Sequence, residues 1–577
     1  MAKTVADGLW EMLVAAGVRR CYGIVGDALN PVIDALRRNG SVDFVHVRHE
    51  EYGAFAAVAD ARLTGQPVAV CGTAGPGVVH LVNGLLDARK EGAPVIAIAG
   101  DVETSVLDSD SLEELNPYVF FAAAALYTGR LVNPGQLRAV VTSAITAAVA
   151  GRGPAVISLP GDVAAAEAPA GSLAVALPAT VPGAARASDL AAMAALINEA
   201  QTVAIFGGDG CSDAAAQVRT LAGKLNAPVG YSLKGKQWLE HDNPNAVGMT
   251  GLLGYGGCWG AINHADVLLM LGTDFPFSEF LPRKKVKTIQ VDRNPAHLGR
   301  RAPLELGVAG DVAATVDALL PMVAAKNDDA FLRKHVRETE RFHKTLQHYV
   351  TKGPGIKPIR PEYLAALLSE LADEDALFFA DTGTACIWAA RHITYGGQRR
   401  LFGSFSWASM ANAAPNAFGA QLAFPGRQTI ALCGDGGFTM LALGDLLTQV
   451  QRQAPVVHIV LNNGMLDFVN IEQQEAGFIP FGTDFANSDF SRVAEALGAR
   501  GIRIEEPGDV RDGLQAALSH KGGPVVVDVL VDRYALARPV HVPAKTAAGF
   551  TLSLARQALH GQMDDVIATI QHNVRLL

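Results

Sequence analysis

The sequence predicts an α/β fold made of parallel sheets with helices on both faces. Short runs of Val, Ile, Ala and Leu alternate with helix-length amphipathic segments along almost the whole chain, which is the pattern such sheets produce. Apolar residues make up 49% of the 577 residues and charged residues 18%, so a large buried core is expected. At roughly 150 residues per domain, the length favours three or four domains and excludes one small binding module.

The first 174 residues are predicted to form one domain. Its buried strands are expected at residues 44–47, 68–71 and 95–99, because each run is apolar and is followed by a turn and a helical pattern. Residues 175–187 are rich in Ala and Pro and have neither helical nor strand periodicity, so they are predicted to be a linker.

Two further domains, each doubly wound like the first, and a tail are predicted after the linker. In the second domain, residues 188–352, the glycine turn Gly207-Gly208-Asp209-Gly210 separates a strand from a helix; the expected elements are strands at 203–206, 267–271 and 288–291 and a helix at 214–225. Gly353-Pro354-Gly355 marks the next boundary. The third domain, residues 358–532, has expected strands at 377–380, 429–433, 456–461 and 525–531, and a helical tail covers 533–577.

Composition and the N-terminus exclude several classes of protein. The net charge is -9 and no Lys/Arg cluster forms a basic face, so nucleic acid is not an expected partner. The N-terminus lacks the apolar centre of a signal peptide, and no run of 18 apolar residues occurs, so we expect a cytoplasmic protein with at most peripheral membrane contact. The six cysteines have no CxxC spacing and are predicted to be buried free thiols.

The segment with the most chemical information is 432–438 (LCGDGGF), a buried strand that runs into a glycine turn. Asn463 follows the next predicted strand, 28 residues after Asp435, which is the length of one βαβ step. Both side chains should therefore emerge at the carboxyl ends of parallel strands, where α/β ligand sites lie. A carboxylate and an amide are oxygen ligands suited to Mg²⁺, and the glycines let backbone approach a diphosphate. Taken alone, Gly-Asp-Gly would be interpreted as a turn.

The combined pattern resembles the signature of thiamine diphosphate enzymes. The resemblance implies that Asp435, Asn463 and the backbone carbonyl of Met465 bind Mg²⁺. It also implies a set of third-domain residues that contact the cofactor: Ala408, Ser409, Met410, Asp435, Gly436, Gly437, Asn463, Met465, Leu466 and Phe468. Met410 would wedge the cofactor into a bent shape, whereas without the resemblance it would be interpreted as ordinary core.

Glu50 is the candidate for the catalytic glutamate of this family. Such enzymes use a glutamate, in a His-Glu pair after an N-terminal strand, to share a proton with the aminopyrimidine ring of the cofactor. Here Arg48-His49-Glu50-Glu51 follows the strand at 44–47, and the resemblance places the loop 71–77 beside the same ring. The alternative role of Glu50 is to complement the dipole of the helix that it begins.

Within the superfamily, the chain resembles the pyruvate oxidase group, in particular the bacterial pyruvate:quinone oxidoreductase with FAD in its middle domain. The segments that carry this resemblance are 242–244, 247–254, 271–276, 290–292, 294–295 and 466–469. It implies FAD contacts at Gly251, Leu252, Leu253, Gly254, Asp274, Phe275, Pro276 and Asp292, and a second catalytic candidate, the aromatic Phe468. Glycine-lined strand ends and a carboxylate after a strand suit a dinucleotide, although a nucleotide-free relative could keep the glycines for folding.

The tail carries an apolar helical stripe whose members are Met563, Val566, Ile567, Ile570, Val574 and Leu577. One expectation is that the stripe docks on the parent domain or on a neighbouring subunit. The other, implied by the resemblance, is that it lies on a membrane.

Three residues depart from the resembled pattern near the substrate pocket. Glu113 stands where the family has a neutral amide, Ala122 where it has an arginine, and Trp407 where the quinone-linked enzymes have a histidine. Glu113 would repel the carboxylate of a 2-oxo acid unless it is protonated or turned away. These departures therefore bear on the substrate and leave the cofactors unaffected.

The resemblance implies an enzyme that uses thiamine diphosphate, Mg²⁺ and FAD to decarboxylate a 2-oxo acid, with pyruvate as the expected substrate and a membrane quinone as the acceptor. A homo-oligomer, in the expected case a tetramer, follows from the same resemblance. The alternatives are a non-redox carboligase or decarboxylase whose flavin is structural or absent, and a catalytically silent scaffold, against which the presence of Glu50, Asp435 and Asn463 argues.

Overall fold

Three six-stranded parallel sheets follow one another along the chain, which confirms the predicted α/β class. The structure, a computed structural model, describes residues 3–171, 173–175, 183–283, 285–486, 488–537, 542 and 544–574. Residues 176–182 of the predicted linker lie outside the described residues. All six cysteines are buried, as predicted.

The first sheet contains the strands β1 (Arg20–Gly23), β2 (Asp43–His46), β3 (Val68–Gly72), β4 (Val95–Asp101), β5 (Tyr127–Arg130) and β6 (Ala155–Pro160). Their order is β2-β1-β3-β4-β6-β5. Every residue of β3, β4 and β6 is buried, as expected of central strands covered on both faces. The helices of this part are α1 (Val5–Ala15), α2 (Asn30–Asn39), α3 (Glu50–Thr64), α4 (Pro76–His80), α5 (Val82–Glu91), α6 (Pro117–Phe120), α7 (Leu137–Gly151) and α8 (Gly161–Ala165).

The middle sheet contains β7 (Val203–Gly207), β8 (Val229–Tyr231), β9 (Ala246–Met249), β10 (Val267–Leu271), β11 (Lys287–Asp292) and β12 (Leu306–Ala309). Its order, β12-β11-β10-β7-β8-β9, is the order of dinucleotide-binding folds. The chain builds the sheet outward in one direction from β7 and then in the opposite direction from β10, so the order reverses between these two parallel strands. The helices are α9 (Ala187–Glu199), α10 (Ala215–Leu225), α11 (Leu233–Leu239), α12 (Cys258–His264), α13 (Val312–Leu319) and the long α14 (Ala330–Lys352), which leads to the third sheet.

The third sheet contains β13 (Leu377–Ala380), β14 (Arg400–Phe402), β15 (Thr429–Gly434), β16 (Val456–Asn462), β17 (Arg500–Ile504) and β18 (Val525–Leu530). Its order, β14-β13-β15-β16-β18-β17, repeats that of the first sheet. The helices are α15 (Pro361–Leu371), α16 (Thr384–His392), α17 (Ala413–Ala423), α18 (Asp435–Gly437), α19 (Leu443–Gln451), α20 (Asp467–Glu475), α21 (Phe490–Ala496) and α22 (Val510–Leu518). The chain between α18 and α19 is a single π-helical turn, so helical structure continues from Asp435 to Gln451.

The tail forms two helices, α23 (Ala544–Leu559) and α24 (Met563–His572). Most of the apolar stripe does not dock on the parent domain: Val566 is buried, but Met563, Ile567, Ile570 and Val574 are 43 to 68% exposed, and Leu577 lies outside the described residues. Docking on a neighbouring subunit stays a prediction. The polar side of α24 docks instead, because Asp565 accepts from Tyr534 and the His572 ring bonds Asp532 at 2.9 Å. None of the helices in the described part of the chain combines the length and the hydrophobicity needed to cross a bilayer.

Candidate functional site

Asp435 and Asn463 come together at the carboxyl ends of two neighbouring strands, as their spacing predicts. β15 and β16 pair in parallel, and Asp435 directly follows the first while Asn463 directly follows the second. One carboxylate oxygen of Asp435 accepts the backbone N–H groups of Asn463 at 3.0 Å and Gly464 at 2.7 Å. The other accepts the N–H of Gly436 at 2.8 Å.

The donor set at this point fits a hard divalent cation. Asp435 is buried, and burial raises the pKa of its carboxyl to about 6 against the lowering effect of the backbone hydrogen bonds. A cation would reverse that rise, because it favours the charged form. A carboxylate and an amide oxygen on adjacent strand ends, with the carbonyl of Met465 two residues beyond, are ligands that leave other positions to phosphate oxygens and water.

The glycines after Asp435 allow close approach of other groups. A Cβ atom on Gly437 would lie 2.0 Å from a carboxylate oxygen of Asp381, so no other residue fits there. A Cβ on Gly436 would lie 2.9 Å from Leu466 and 3.5 Å from both Met410 and Phe485. The predicted contacts Met410, Gly436 and Leu466 therefore do meet. Phe485 joins them without having been predicted.

A strained loop carries Ser409 and Met410. Ala408 and Ala411 both have left-handed backbone, with φ of 62° and 64°, which L-residues adopt at a cost of roughly 1 kcal/mol or more each. Asp381 fixes the end of the loop, because one of its oxygens accepts the Asn412 N–H at 2.9 Å. Its other oxygen is buried without a partner in the described structure, and burial raises the pKa of Asp381 to about 7.

The start of the same loop rests on a cluster of buried and partly buried charges where the domains of all three sheets meet, which we call the junction (Arg62, Asp87, Glu91, Asp209 and Lys234). The Ser404 hydroxyl donates to Asp87 at 2.6 Å and accepts from Ser409 N–H at 3.0 Å. Arg62 bridges Glu91 at 3.0 Å and Asp209 at 3.1 Å, and Lys234 lies 2.8 Å from Glu91. Burial, with the nearby charge of Glu91, raises the pKa of Asp87 to about 8.

Glu50 is the first residue of α3 and is buried. The side chain of His49 caps the helix by accepting the Glu51 N–H. One Glu50 oxygen lies 2.9 Å from Nδ1 of His80, at the end of α4. The other would lie 3.1 Å from a Cβ on Gly77, so the glycine of the predicted loop 71–77 leaves this face of the carboxylate uncovered.

Asp445 of the third sheet's domain holds the backbone that leads into Glu50. Its two carboxylate oxygens accept the N–H groups of Arg48 at 2.7 Å and His49 at 3.1 Å. Burial raises the pKa of Asp445 to about 6, although these bonds and that from Thr448 lower it. Asp445 lies ten positions after Asp435 on a nearly continuous helix, so the two residues are about 15 Å apart along the helix axis.

A second contact joins the strained loop that carries Ser409 and Met410 to α3. The Asn83 amide donates to Glu51 at 2.7 Å and to the Ser409 hydroxyl at 3.0 Å, and the Trp407 indole N–H donates to the Asn83 carbonyl at 2.7 Å. Trp407, one of the three departures, therefore lies between the first and third domains. In the described part of the chain, no hydrogen bond joins Glu50 itself to Asp435.

The remaining predicted residues lie in less defined positions. Glu113 is exposed and has a left-handed φ of 65°. A Cβ atom added to Gly75, in the loop 71–77, would lie 2.9 Å from the Cβ of Glu113. Ala122 is exposed. Phe468 is the second residue of α20, partly buried against the core of the third sheet, so its role at the reaction centre stays a prediction.

The predicted FAD contacts lie at the carboxyl ends of the middle strands. Asp274 pairs with Arg300 and Arg301, and Asp292 accepts the Asn294 N–H at 2.9 Å and faces His297. Phe275 packs where a Cβ on Gly251 would lie 2.8 Å from its ring. Leu252 and Pro276 belong to the same two loops, and the carbonyls of Leu253 and Gly254 accept from Arg391.

Sequence reasoning missed four polar residues that complete this site: His80, Asn83, Asp381 and Asp445. His80 and Asn83 follow the glycine loop 71–77 at helical spacing, and Asp445 lies on the helix that Asp435 begins. The spacing of His80, Asn83 and Asp445 from the motif residues could have identified them as site candidates. Asp381 directly follows the predicted strand at 377–380, as Asp435 follows its own.

Comparison with known proteins gives a consistent result over most of the chain. Three family models match, described as thiamine pyrophosphate enzyme N-terminal TPP binding domain over residues 3–119, central domain over 190–319 and C-terminal TPP binding domain over 381–529. The chain is 34% identical over 533 residues to the "Putative thiamine pyrophosphate-containing protein YdaP" of Bacillus subtilis, covering 92% of each chain. It is 30% identical to the pyruvate oxidase of Lactiplantibacillus plantarum, covering 96% of this chain and 93% of that one. It is also 30% identical to the acetolactate synthase of Bacillus subtilis, covering 91% and 93%.

Proposed function

Because the chain belongs to the thiamine pyrophosphate enzyme family, we propose that it decarboxylates pyruvate oxidatively and passes the electrons through FAD to a membrane quinone. Pyruvate and water would give acetate, CO₂, two protons and two electrons. The observation that carries the decarboxylation is the pair of oxygen ligands, Asp435 and Asn463, on adjacent strand ends above a glycine turn that only glycine can fill.

Residues of the third domain would bind the metal and the cofactor, and residues of the first domain would handle the proton. Asp435, Asn463 and the Met465 carbonyl would hold Mg²⁺, and Met410, Gly436 and Leu466 would contact thiamine diphosphate beside it. Bound thiamine diphosphate supplies the electron sink that decarboxylation requires. Glu50 would exchange a proton with the cofactor at the carboxylate oxygen that Gly77 leaves uncovered, while His80 orients the other oxygen.

The strand order of the middle sheet is one reason to propose FAD. This order is that of dinucleotide-binding folds, whose ligands lie at the carboxyl ends of the strands. Gly251, Leu252, Leu253, Gly254, Asp274, Phe275, Pro276 and Asp292 all lie at those ends and would hold FAD. The similarity to a pyruvate oxidase over 96% of this chain is the reason to propose that the flavin accepts electrons. The acetolactate synthase relatives support the alternative, a carboligase.

The visible spectrum of the purified holoenzyme tests the proposal. We expect a yellow protein that pyruvate bleaches without oxygen and that a quinone analogue recolours. The Asp435→Ala variant is the matched control, because it should keep FAD in the distant middle domain but should not bleach. A yellow protein that pyruvate leaves unbleached would instead support the carboligase, and a colourless protein would overturn the FAD assignment.

We further propose that the enzyme is a cytoplasmic homotetramer that contacts the membrane through α24. The exposed side chains of Met563, Ile567 and Ile570 supply the apolar face that a lipid-facing helix needs. Deleting the residues after Gly561 should abolish binding to phospholipid vesicles and quinone reduction, and should leave dye-linked activity intact. If the truncated oligomer dissociates without lipid present, the stripe belongs to a subunit interface.

A further inference from the structure

A pocket of about 150 Å³ lies between α11, α14 and α16, away from the residues assigned above to thiamine diphosphate or Mg²⁺. Lys236 and Arg391 are buried in its wall, while His343, Gln347 and Thr394 are exposed at its rim. The pocket is therefore open to solutes, and its lining includes the cationic side chains of Lys236 and Arg391 as well as the carboxylate of Glu240.

The charges of this pocket do not cancel. Lys236 is paired with Glu240, which also accepts from two tyrosine hydroxyls. Arg391 donates only to the backbone carbonyls of Leu253 at 3.3 Å and Gly254 at 3.1 Å, and no carboxylate in the described part of the chain forms an ion pair with it. Burial lowers the pKa of Arg391 to about 10, so it stays charged at neutral pH. The pocket therefore holds one positive charge without a counter-charge.

His392 supplies a second, independent observation. Its Nε2 is buried and has no hydrogen-bond partner in the described structure. Burial, together with the charges of Arg391, His343 and Lys236, lowers the pKa of His392 to about 3, so the ring is neutral at physiological pH. A neutral imidazole can offer one N–H, and buried polar groups of this kind usually have a partner. The nearby positive charges of Arg391 and Lys236, unlike burial, favour an anion in the pocket.

We propose that this pocket binds a small oxyanion, a carboxylate or a phosphate, with Arg391 as its charge partner and the His392 ring in its wall. The volume is that of a cavity able to hold a benzene-sized molecule, which is ample for five to seven heavy atoms. Thr394 at the rim adds a hydroxyl. Because Arg391 also holds the carbonyls of Leu253 and Gly254, the anion would be bound next to a loop of the middle sheet.

The test is calorimetry and thermal unfolding of the full-length protein saturated with thiamine diphosphate, Mg²⁺ and FAD, so that the diphosphate positions of both cofactors are filled. Potassium phosphate and potassium acetate are titrated against potassium chloride of equal ionic strength. We expect saturable binding of at least one oxyanion in the millimolar range or tighter, and none of chloride. A response to phosphate alone would identify a phosphate site, and a response to acetate alone a carboxylate site.

Variants locate the binding. Arg391→Gln should weaken the oxyanion at least tenfold, and His392→Leu, which leaves Arg391 and its two carbonyl bonds in place, should weaken it several-fold. Arg341→Gln, which removes an exposed charge from α14, should leave it unchanged. If Arg391→Gln does not fold, His392→Leu carries the test alone. Equal stabilisation by chloride, or oxyanion affinity unchanged in His392→Leu and in any folded Arg391→Gln, would overturn the proposal.

Discussion

Replacing Asp445 with asparagine tests whether the third domain positions Glu50. The carboxylate of Asp445 is buried and accepts hydrogen bonds from the backbone of Arg48 and His49, the two residues before Glu50, and from Thr448. Asparagine keeps one acceptor oxygen but presents an NH₂ group to the other N–H. The variant therefore loses one charge-assisted hydrogen bond and gains a donor that faces a donor.

The loss of such a bond costs about 1.5 to 3 kcal/mol. If all of that energy serves to hold the start of α3, the equilibrium constant between molecules with Glu50 in place and those with it displaced falls by roughly 10- to 150-fold, since about 1.4 kcal/mol corresponds to a factor of ten. We expect Asp445→Asn to slow proton exchange at C2 of the bound cofactor by about 10-fold or more. The affinity for Mg²⁺ should change little, because Asp435 is about 15 Å away.

The assay is quenched-flow hydrogen–deuterium exchange at the cofactor C2 position, read by NMR. Asp489→Asn is the matched control, because Asp489 accepts the Arg492 N–H at the start of α21, away from Glu50. Below pH 6, where Asp445 itself takes up a proton, the ratio of wild-type to variant rates should shrink. An exchange rate within threefold of wild type at pH 7 would refute the positioning role.

Three further predictions concern the same site. Asp435→Ala should abolish Mg²⁺-dependent cofactor binding in equilibrium dialysis, while Asn463→Asp should recover part of its activity at high Mg²⁺; full activity of Asp435→Ala at low cofactor would contradict the metal assignment. The Glu50→Gln variant should bind cofactor, but the C2 proton of that cofactor should exchange orders of magnitude more slowly. Mixing Glu50→Gln chains with Asp435→Ala chains should restore some activity if two subunits share each site. A fully active monomer in light scattering would count against a shared site. The pKa of Asp381 is raised to about 7, so its stabilising contribution is complete below the unfolded value of 3.8 and is lost as pH rises through 7. The melting temperature of wild type should therefore fall relative to Asp381→Asn between pH 5 and pH 8, and a constant difference across that range would disprove it.

Most central strands could be predicted because they are buried on both faces, although the central strands β1, β6 and β8 were missed and the edge strand β2 was predicted. β4 and β10 are apolar at nearly every position and stand out in the sequence. The edge strands β5, β14 and β17 contain Arg and are buried at only some of their positions, so they lack a continuous apolar run and were missed. Their positions follow from pairing with a neighbour, which a local pattern does not contain.

The site residues also divide into those that a local sequence pattern predicts and those that only the packing of the domains brings together. Asp435 and Asn463 could be paired from the sequence because they follow neighbouring strands of one sheet, a local relation of 28 residues. Asp445 meets Arg48 across 397 residues, and only the packing of two domains brings them together. The apolar stripe of α24 was recognised, but its orientation depends on polar contacts to Asp532 and Tyr534 that no periodicity reveals.

The junction also bears on how the protein is made. Its charges come from two domains, Arg62, Asp87 and Glu91 from the first and Asp209 and Lys234 from the second, and the third domain joins them through Ser404, which is bonded to Asp87. Buried ions without partners are costly, so the docking of the domains should be close to all-or-none. Synthesis completes the N-terminal domains first and the loop carrying Met410 late. A nascent chain is therefore not expected to capture cofactor until its last domain has folded.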